Sequence, residues 1–219
     1  MKKINYIICL VALAGICFNA TAQNKDAPAN AAPGKDAQEK EVRAKQSQES
    51  QKQDEQMKAW MAYMTPGAMQ EMLAKSNGDW NEEVTMWMSP GAPPMKSTAM
   101  ATNSMILGNR YLQSKSIGSF NGMPFEGTGI TAYDNAKKVF MSTWIDNMGT
   151  GIMYSEGKYD EKTKTVNYTG DMVDPMSGKS EKFRQTFKMT DENNQVMEMY
   201  STQNGKEFKT MEIKFMRKM

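Results

Sequence analysis

The sequence contains no histidine, and its 2 cysteines, Cys9 and Cys17, both lie close to the amino terminus. The absence of histidine excludes Ser-His-Asp and Cys-His catalysis, His-x-x-x-His zinc sites and a histidine-ligated haem. The chain beyond residue 22 has no thiol, so a disulfide cannot stabilise it. Carboxylates, lysines, tyrosines, hydroxyls and methionine sulfur remain for chemistry. We therefore assign no catalytic residue, no metal site and no cofactor.

No apolar run reaches the roughly 20 residues that a membrane-spanning helix needs. The longest run, residues 4–18, follows Lys2-Lys3 and precedes Ala20-Thr21-Ala22. This order of basic, apolar and small residues is typical of a cleavable secretory signal peptide. We predict that residues 1–22 are this signal and that the mature protein is exported to the periplasm or the medium without a membrane span.

An excess of charge is also absent. The chain has 27 Lys and Arg against 25 Asp and Glu, and loss of Lys2 and Lys3 with the signal makes the two signs equal. Nothing in this balance favours an electrostatic match to nucleic acid or to an anionic membrane. We expect no nucleic-acid partner.

Large apolar residues are scarce in residues 23–56, where Val42 is the one large aliphatic residue and no aromatic occurs. Such a segment buries too little apolar surface to offset the entropy of ordering. We predict a disordered linker to residue 35 and a solvated, charged helix from Asp36. The segment is interpreted as a tether, with a partner-binding helix as the alternative.

The domain proper is predicted at residues 57–219, and two short helices open it. Met57, Trp60, Met61 and Met64 follow a helical spacing. Thr65-Pro66 then supplies an N-cap and a first-turn proline for a second helix over residues 66–75.

After Gly78 the hydrophobic period changes to alternation, with turn signals about every ten residues. Turns this short leave no room for crossover helices, so neighbouring strands pair antiparallel. We predict an all-β, up-and-down barrel, because closure removes exposed edges. The predicted strands are 79–88, 95–106, 109–117, 126–134, 137–146, 150–159, 163–172, 180–189, 195–202 and 206–217.

The alternation also predicts which side chains face inward. In the first strand Trp80, Val84, Met86 and Met88 share one face, and Glu82 is an exception on it. The second and fourth strands instead carry small residues, which allow sharp bending or leave space inside. These small residues are Ala99, Ala101, Gly127 and Gly129.

Gly78-Asp79-Trp80 precedes the strands and resembles the Gly-x-Trp signature of lipocalins and related calycin barrels. The resemblance implies that an arginine of the last strand packs across the tryptophan and closes the barrel floor. Arg217 has the position for this role, and such a cation–π contact is worth about 1 to 2 kcal/mol when desolvated. Gly78 and Arg217 are thus expected to be structural.

Two long segments, MTPGAMQEMLAKSNGDWNEEVTMWMSPGAPP and MPFEGTGITAYDNAKKVFMSTWIDNMGTGIMYSEGKYD, resemble a bacterial family catalogued as domain of unknown function 1579. The resemblance extends from about Met57 to Lys218. It implies a single exported domain and no activity that can be transferred to individual residues.

The segment STWIDNMGTGIMYSEG, residues 142–157, is the densest mixture of aromatic, polar and glycine residues. It predicts aromatic walls and fixed polar groups beside a pocket, with a tight turn and sheet packing as the alternative. Our leading hypothesis is a small apolar or amphipathic ligand inside the barrel. The candidate ligand-binding residues are Trp80, Met86, Met88, Trp144, Asp146, Tyr154, Phe183 and Phe187.

Other functions stay open. The chain has 23 methionines, and thioethers bind copper(I) or absorb oxidants, although methionine more often fills cores. An envelope structural or interaction protein, with residues 36–56 as its contact element, is a further alternative. An enzyme would need a carboxylate pair such as Glu82 and Glu83 or Asp171 and Asp174.

Overall fold

The computed structural model describes residues 35–203 and 205–219. The predicted signal peptide and most of the predicted disordered linker lie outside these residues. Two helices come first, α1 (Lys35–Met64) and α2 (Ala68–Ala74). Helix α1 is continuous through residue 57, where the sequence predicted the start of the domain. None of the described helices combines the length and the apolar character that crossing a bilayer requires.

Ten antiparallel strands follow α2, which confirms the predicted fold class. Each strand pairs with the next one in the chain, and β1 also pairs with β10, so the sheet closes into a barrel. The strands are β1 (Gly78–Met86), β2 (Met95–Ile106), β3 (Tyr111–Phe120), β4 (Met123–Asp134), β5 (Val139–Asp146), β6 (Met153–Asp160), β7 (Thr165–Val173), β8 (Ser180–Met189), β9 (Asn194–Gln203) and β10 (Lys206–Arg217).

The β1–β10 pairing closes the barrel, and its register runs from Trp80 opposite Arg217 to Met86 opposite Met211. On its other side β1 pairs with β2, and Glu82 lies opposite Ala99. Because side chains alternate between the two faces of a strand, Trp80, Glu82, Val84 and Met86 all point into the barrel.

Helix α2 begins later than the sequence predicted. Its N-cap is Gly67, whose backbone N–H donates a hydrogen bond to Gln70 Oε1 at 2.8 Å. Thr65, the predicted N-cap, instead donates its hydroxyl to the Met61 carbonyl at 2.6 Å. Thr65 therefore ends the preceding helix, because its side chain is already occupied by a carbonyl of α1.

Helix α2 packs against one end of the barrel. Leu73 is buried there with Leu112, Phe140, Val166 and Tyr168. The Gln70 amide also donates to the Tyr133 carbonyl at 3.0 Å, at the end of β4. The apolar core of the domain is thus concentrated at this end, which we call the floor.

A barrel cavity with a buried carboxyl group

The barrel contains a cavity of about 650 Å³ that is partly open to solvent. This volume lies within the range of small-molecule sites, roughly 300 to 1,000 Å³. At the floor its wall includes Leu73 and Ser76, and at the opposite end it includes Phe120, Phe125 and Met148. The cavity thus extends along the inside of the barrel between its two ends.

Methionine is prominent on one part of the wall. Strands β6 to β10 contribute six methionines together with Phe187 and Phe215. Flexible, polarisable thioethers adapt to irregular apolar shapes better than branched side chains do. These strands therefore present a deformable apolar surface, which we call the methionine wall. Its methionines are Met153, Met172, Met189, Met197, Met199 and Met211.

Small and polar residues dominate the wall where β2 and β3 pass. Ala99, Ala101 and Asn103 of β2 line the cavity, as do Ser114 and Ser116 of β3. Ala101 lies opposite Ser116, and Asn103 lies opposite Ser114. Short side chains on two adjacent strands leave more of the interior free.

Glu82 contributes a carboxyl group to the cavity wall beside the small residues of β2 and β3. The residue is only 5 % exposed, and its strand neighbours are Ala99 on β2 and Phe215 on β10. Its Oε1 accepts a hydrogen bond from the Ser116 hydroxyl at 3.1 Å. Burial raises the pKa of the Glu82 carboxyl, and the bond from Ser116 offsets part of that rise.

Asn103 adds a second acceptor. The residue is 8 % exposed, and its Oδ1 is the one buried side-chain polar atom among the described residues without a hydrogen-bond partner. Buried polar atoms are nearly always paired, because an unpaired one costs about 1 to 3 kcal/mol. Glu82 and Asn103 are thus two acceptors on one inner surface.

Trp144 occupies the wall between β4 and β6. Its indole lies against Gly127 and Gly129, where a Cβ on Gly127 would come within 2.2 Å of the ring. The indole N–H donates to Asp146 Oδ2 at 2.9 Å. Asp146 Oδ1 in turn accepts from the Met148 backbone N–H at 2.9 Å. The glycines therefore make room for the ring, and Asp146 fixes it to the following turn.

Trp80 and Arg217 lie at the floor. The Arg217 guanidinium carbon is 4.2 Å from the centroid of the Trp80 ring, and the indole N–H donates to the Ser76 carbonyl at 2.9 Å. Gly78 has φ +113°, and a Cβ there would lie 3.0 Å from the arginine. Glycine suits this position for both reasons, conformation and space.

The model of a family described as "Protein of unknown function (DUF1579)" matches residues 65–217. The chain belongs to the DUF1579 family. This confirms the family resemblance that the two quoted segments indicate. No curated protein matches the chain.

The DUF1579 barrel also resembles solved structures. The crystal structure of Rv2717c from M. tuberculosis has a TM-score of 0.52 and 12 % identity, over 71 % of this chain and 100 % of that chain. A redesigned β-barrel, b11L5F_LGL, has a TM-score of 0.37 and 12 % identity, over 70 % and 100 % of the respective chains. At such identity the likeness to Rv2717c shows a shared fold alone.

In this DUF1579 barrel, four of the eight candidate ligand-binding residues lie in the cavity wall. They are Met86, Trp144, Asp146 and Phe187. Met86 ends β1, Trp144 and Asp146 come from the end of β5, and Phe187 belongs to β8. The structure thus brings side chains from three separate regions of the sequence around one cavity.

The other four candidates are not in the wall. Trp80 is fully buried beneath Arg217, and Phe183 is buried over Gly170. Met88 follows the end of β1 and is 69 % exposed. Tyr154 is opposite Thr143 on β5, so it is on the face away from Trp144, and its hydroxyl donates to Glu156.

The carboxylate pairs that an enzyme would need do not converge. Glu82 points inward while its neighbour Glu83 is exposed on the outer face. Asp171 meets Lys182 at the surface, 3.3 Å from its Nζ. Asp174 accepts hydrogen bonds from the Ser177 hydroxyl and from the Met176 backbone N–H within its own turn, and these bonds lower the pKa of its carboxyl. Each acid therefore has a separate environment.

Glu82, Asn103 and Ser116 are among the polar wall residues that sequence reasoning did not select as ligand-binding. A signal for Glu82 was present, because the strand alternation placed a carboxylate among inward apolar residues. Asn103 is on the same face of its strand as Ala99 and Ala101, for which the sequence predicted space inside, so its direction could also have been inferred. Ser116 gives no such signal, because its neighbours Lys115 and Ile117 define no apolar inner face, and its inward direction follows only from the structure.

Proposed function

We propose that this protein is an exported binding protein that holds a small apolar or amphipathic molecule inside its barrel. The cavity of about 650 Å³, with its methionine wall and a few polar groups, is the observation that carries the proposal. Binding sites for small molecules typically combine such an apolar lining with a few fixed polar groups. The same proposal includes the expectation that the barrel binds its ligand internally, as calycin barrels do.

Titration with a neutral, environment-sensitive fluorophore such as aminoanthracene tests the binding function. We expect saturable, blue-shifted emission at one site per chain. Ser114→Phe adds a ring to the cavity wall, and we expect it to weaken probe binding about tenfold or more. Lys115→Phe adds the same ring on the exposed outer face of β3 and is the matched control.

Equal loss of affinity in both variants, or no saturable binding by the unmodified protein, would contradict the proposal. Native mass spectrometry of protein purified gently from its own envelope fraction gives an independent reading. A mass excess that disappears on denaturation would reveal a retained ligand. The difference between the native and the denatured masses then gives the mass of that ligand.

Export forms the second part of the proposal, and it rests on residues 1–22, which lie outside the described part of the chain. We expect the mature protein in the periplasmic or culture fraction, with Gln23 as its first residue. Intact-mass measurement on that fraction tests this, and a cytoplasmic protein that retains residues 1–22 would contradict it.

A copper(I) function is the second candidate, because the methionine wall concentrates soft sulfur ligands in one cavity. Titration with copper(I) under reducing conditions distinguishes a copper(I) function from the binding of an organic ligand. Affinity tighter than about micromolar, lost in a Met197→Leu/Met199→Leu variant, would favour copper; weaker binding would leave the organic ligand as the function.

A further inference from the structure

The polar part of the cavity wall offers hydrogen-bond acceptors. Glu82 contributes a carboxyl group and Asn103 an unpaired Oδ1. Both residues are more than nine-tenths buried, and both belong to the cavity lining. A buried acceptor without a partner is stabilised by any donor that reaches it.

The two residues belong to neighbouring parts of the cavity wall. Ser116 belongs to β3 and lies opposite Ala101. Because the Glu82 carboxyl of β1 accepts a hydrogen bond from Ser116, it extends over the inner face of β2, which lies between β1 and β3. Asn103 is the next inward residue after Ala101, about 7 Å further along the strand. Only the methyl group of Ala101 stands between them on β2, so a polar group placed over Ala101 is close to both.

Fixed positive charge is scarce in the same wall. Among the described residues that line the cavity, the basic ones are Lys75 and Lys164, and both are exposed to solvent. A carboxylate or phosphate brought here would be desolvated without a buried cation to compensate, and it would be repelled by the Glu82 carboxyl wherever that group is ionised. The wall therefore discriminates against anionic head groups.

We propose that the ligand is an amphiphile whose polar end donates hydrogen bonds and carries no negative charge, as in an alcohol or an amine. This inference rests on the binding function proposed above. The polar end is seated over Ala101, between Glu82 and Asn103, and the apolar chain lies along the methionine wall.

The state of the Glu82 carboxyl distinguishes the two head groups. An alcohol donates to Asn103 Oδ1 or to the carbonyl oxygen of a protonated Glu82. An ammonium group pairs with the Glu82 carboxylate, so its binding favours deprotonation. Because burial raises the pKa of this carboxyl, amine affinity is expected to rise with pH through that pKa, while alcohol affinity changes little.

Three ligands with one chain and different head groups test the inference on the unmodified protein. Dodecanol, dodecylamine and dodecanoate each compete with bound aminoanthracene at several pH values. We expect at least one of the first two to bind about tenfold or more tightly than dodecanoate, the difference of one lost charge-assisted hydrogen bond. Equal or tighter binding of dodecanoate would overturn the inference.

The same experiment separates this inference from the binding function. If dodecanoate displaces the probe as well as the other two, the barrel binds amphiphiles and only the head-group assignment is wrong. If the probe itself does not bind, both proposals are wrong.

Variants then locate the head group. Glu82→Gln keeps the size of the side chain, and we expect it to weaken dodecylamine about tenfold or more and to abolish the pH dependence. Asn103→Leu is expected to weaken dodecanol. Glu83→Gln makes the same exchange at the exposed neighbour on β1 and should change neither affinity. Unchanged amine and alcohol affinities in the first two variants would place the head group elsewhere and overturn the inference.

Discussion

The guanidinium of Arg217 lies over the indole of Trp80, with 4.2 Å between its carbon and the ring centroid, and at the same time donates to three backbone carbonyls. Its donors reach Lys75 at 2.8 Å, Asn77 at 2.6 Å and Glu192 at 3.0 Å. One side chain therefore connects the end of α2, the start of β1 and the β8–β9 turn across the seam between the first and last strands.

We expect Arg217→Lys to destabilise the domain by about 2 to 3 kcal/mol. A single ammonium group cannot reproduce a planar guanidinium that contacts a ring and donates to three acceptors at once. Urea unfolding at neutral pH measures the loss. Lys214→Arg, on the exposed face of the same strand, should change stability by less than about 0.5 kcal/mol. Similar stability of the wild type and Arg217→Lys would mean that the contact contributes little.

Gly127→Ala should displace the Trp144 indole, because the added Cβ would lie 2.2 Å from Cζ2 of the ring. We expect a loss of about 1 to 3 kcal/mol, the usual cost of overpacking, together with a shifted tryptophan emission. Gly149→Ala is the control, since nothing lies within 4 Å of its added carbon. If Gly127→Ala behaved like Gly149→Ala, the ring would not be packed on this glycine.

Gln70→Ala should loosen α2 from the barrel and cost about 1 to 3 kcal/mol. Its amide donates to the Tyr133 carbonyl at 3.0 Å and to Asn135 Oδ1 at 3.2 Å, and all of these groups would lose a partner. Hydrogen exchange of the α2 amides reports the loosening directly. Glu71→Ala, exposed on the next position of the helix, should leave that exchange unchanged.

Glu82 makes the stability of the domain depend on pH in a defined direction. Burial raises the pKa of its carboxyl above the ordinary 4.5, so the folded state binds the proton more tightly than the unfolded state does. Stability from this group is therefore present below pH 4.5 and is lost as the pH rises through the folded-state pKa.

Glu82→Gln removes that dependence. We expect the difference in unfolding free energy, variant minus wild type, to increase with pH above 4.5 and then to level off. Urea unfolding of both proteins across pH 4 to 8 measures it, and the subtraction cancels carboxylates whose pKa is lowered, such as Asp160. A difference that is flat with pH would show that this carboxyl titrates normally.

Strand positions followed closely from the sequence because each strand alternates and each turn carries Gly, Asn, Asp or Pro. The predicted and observed bounds coincide for β2, β8 and β10. β1 ends two residues before its predicted end at residue 88, where the chain turns away toward Pro90. Local patterns determine these bounds, so a single sequence contains the necessary information.

The residues of the candidate site were predicted less accurately from the sequence than the strands were. They depend on which face of the sheet each side chain occupies and on the register between strands. The sequence predicts that Tyr154 binds the ligand, but β6 directs Met153 inward and Tyr154 outward, because neighbouring residues of a strand point to opposite faces. The same limit applies to Glu82. Alternation indicated that it points inward, whereas its contact with Ser116 on β3 needs the three-dimensional arrangement of the strands.

The pairing of β1 with β10 has a consequence for how the chain folds. Nine of the ten strand pairs join neighbours in the sequence, so they need only short loops to close. The last pair must bring together residues more than a hundred positions apart, which is slow on entropic grounds. Until that pairing forms, β1 and β10 are both open edges that can recruit other chains. Trp80 and Arg217 lie opposite each other in this last pair. Their contact therefore belongs to the folding step that finally removes the open, aggregation-prone edges.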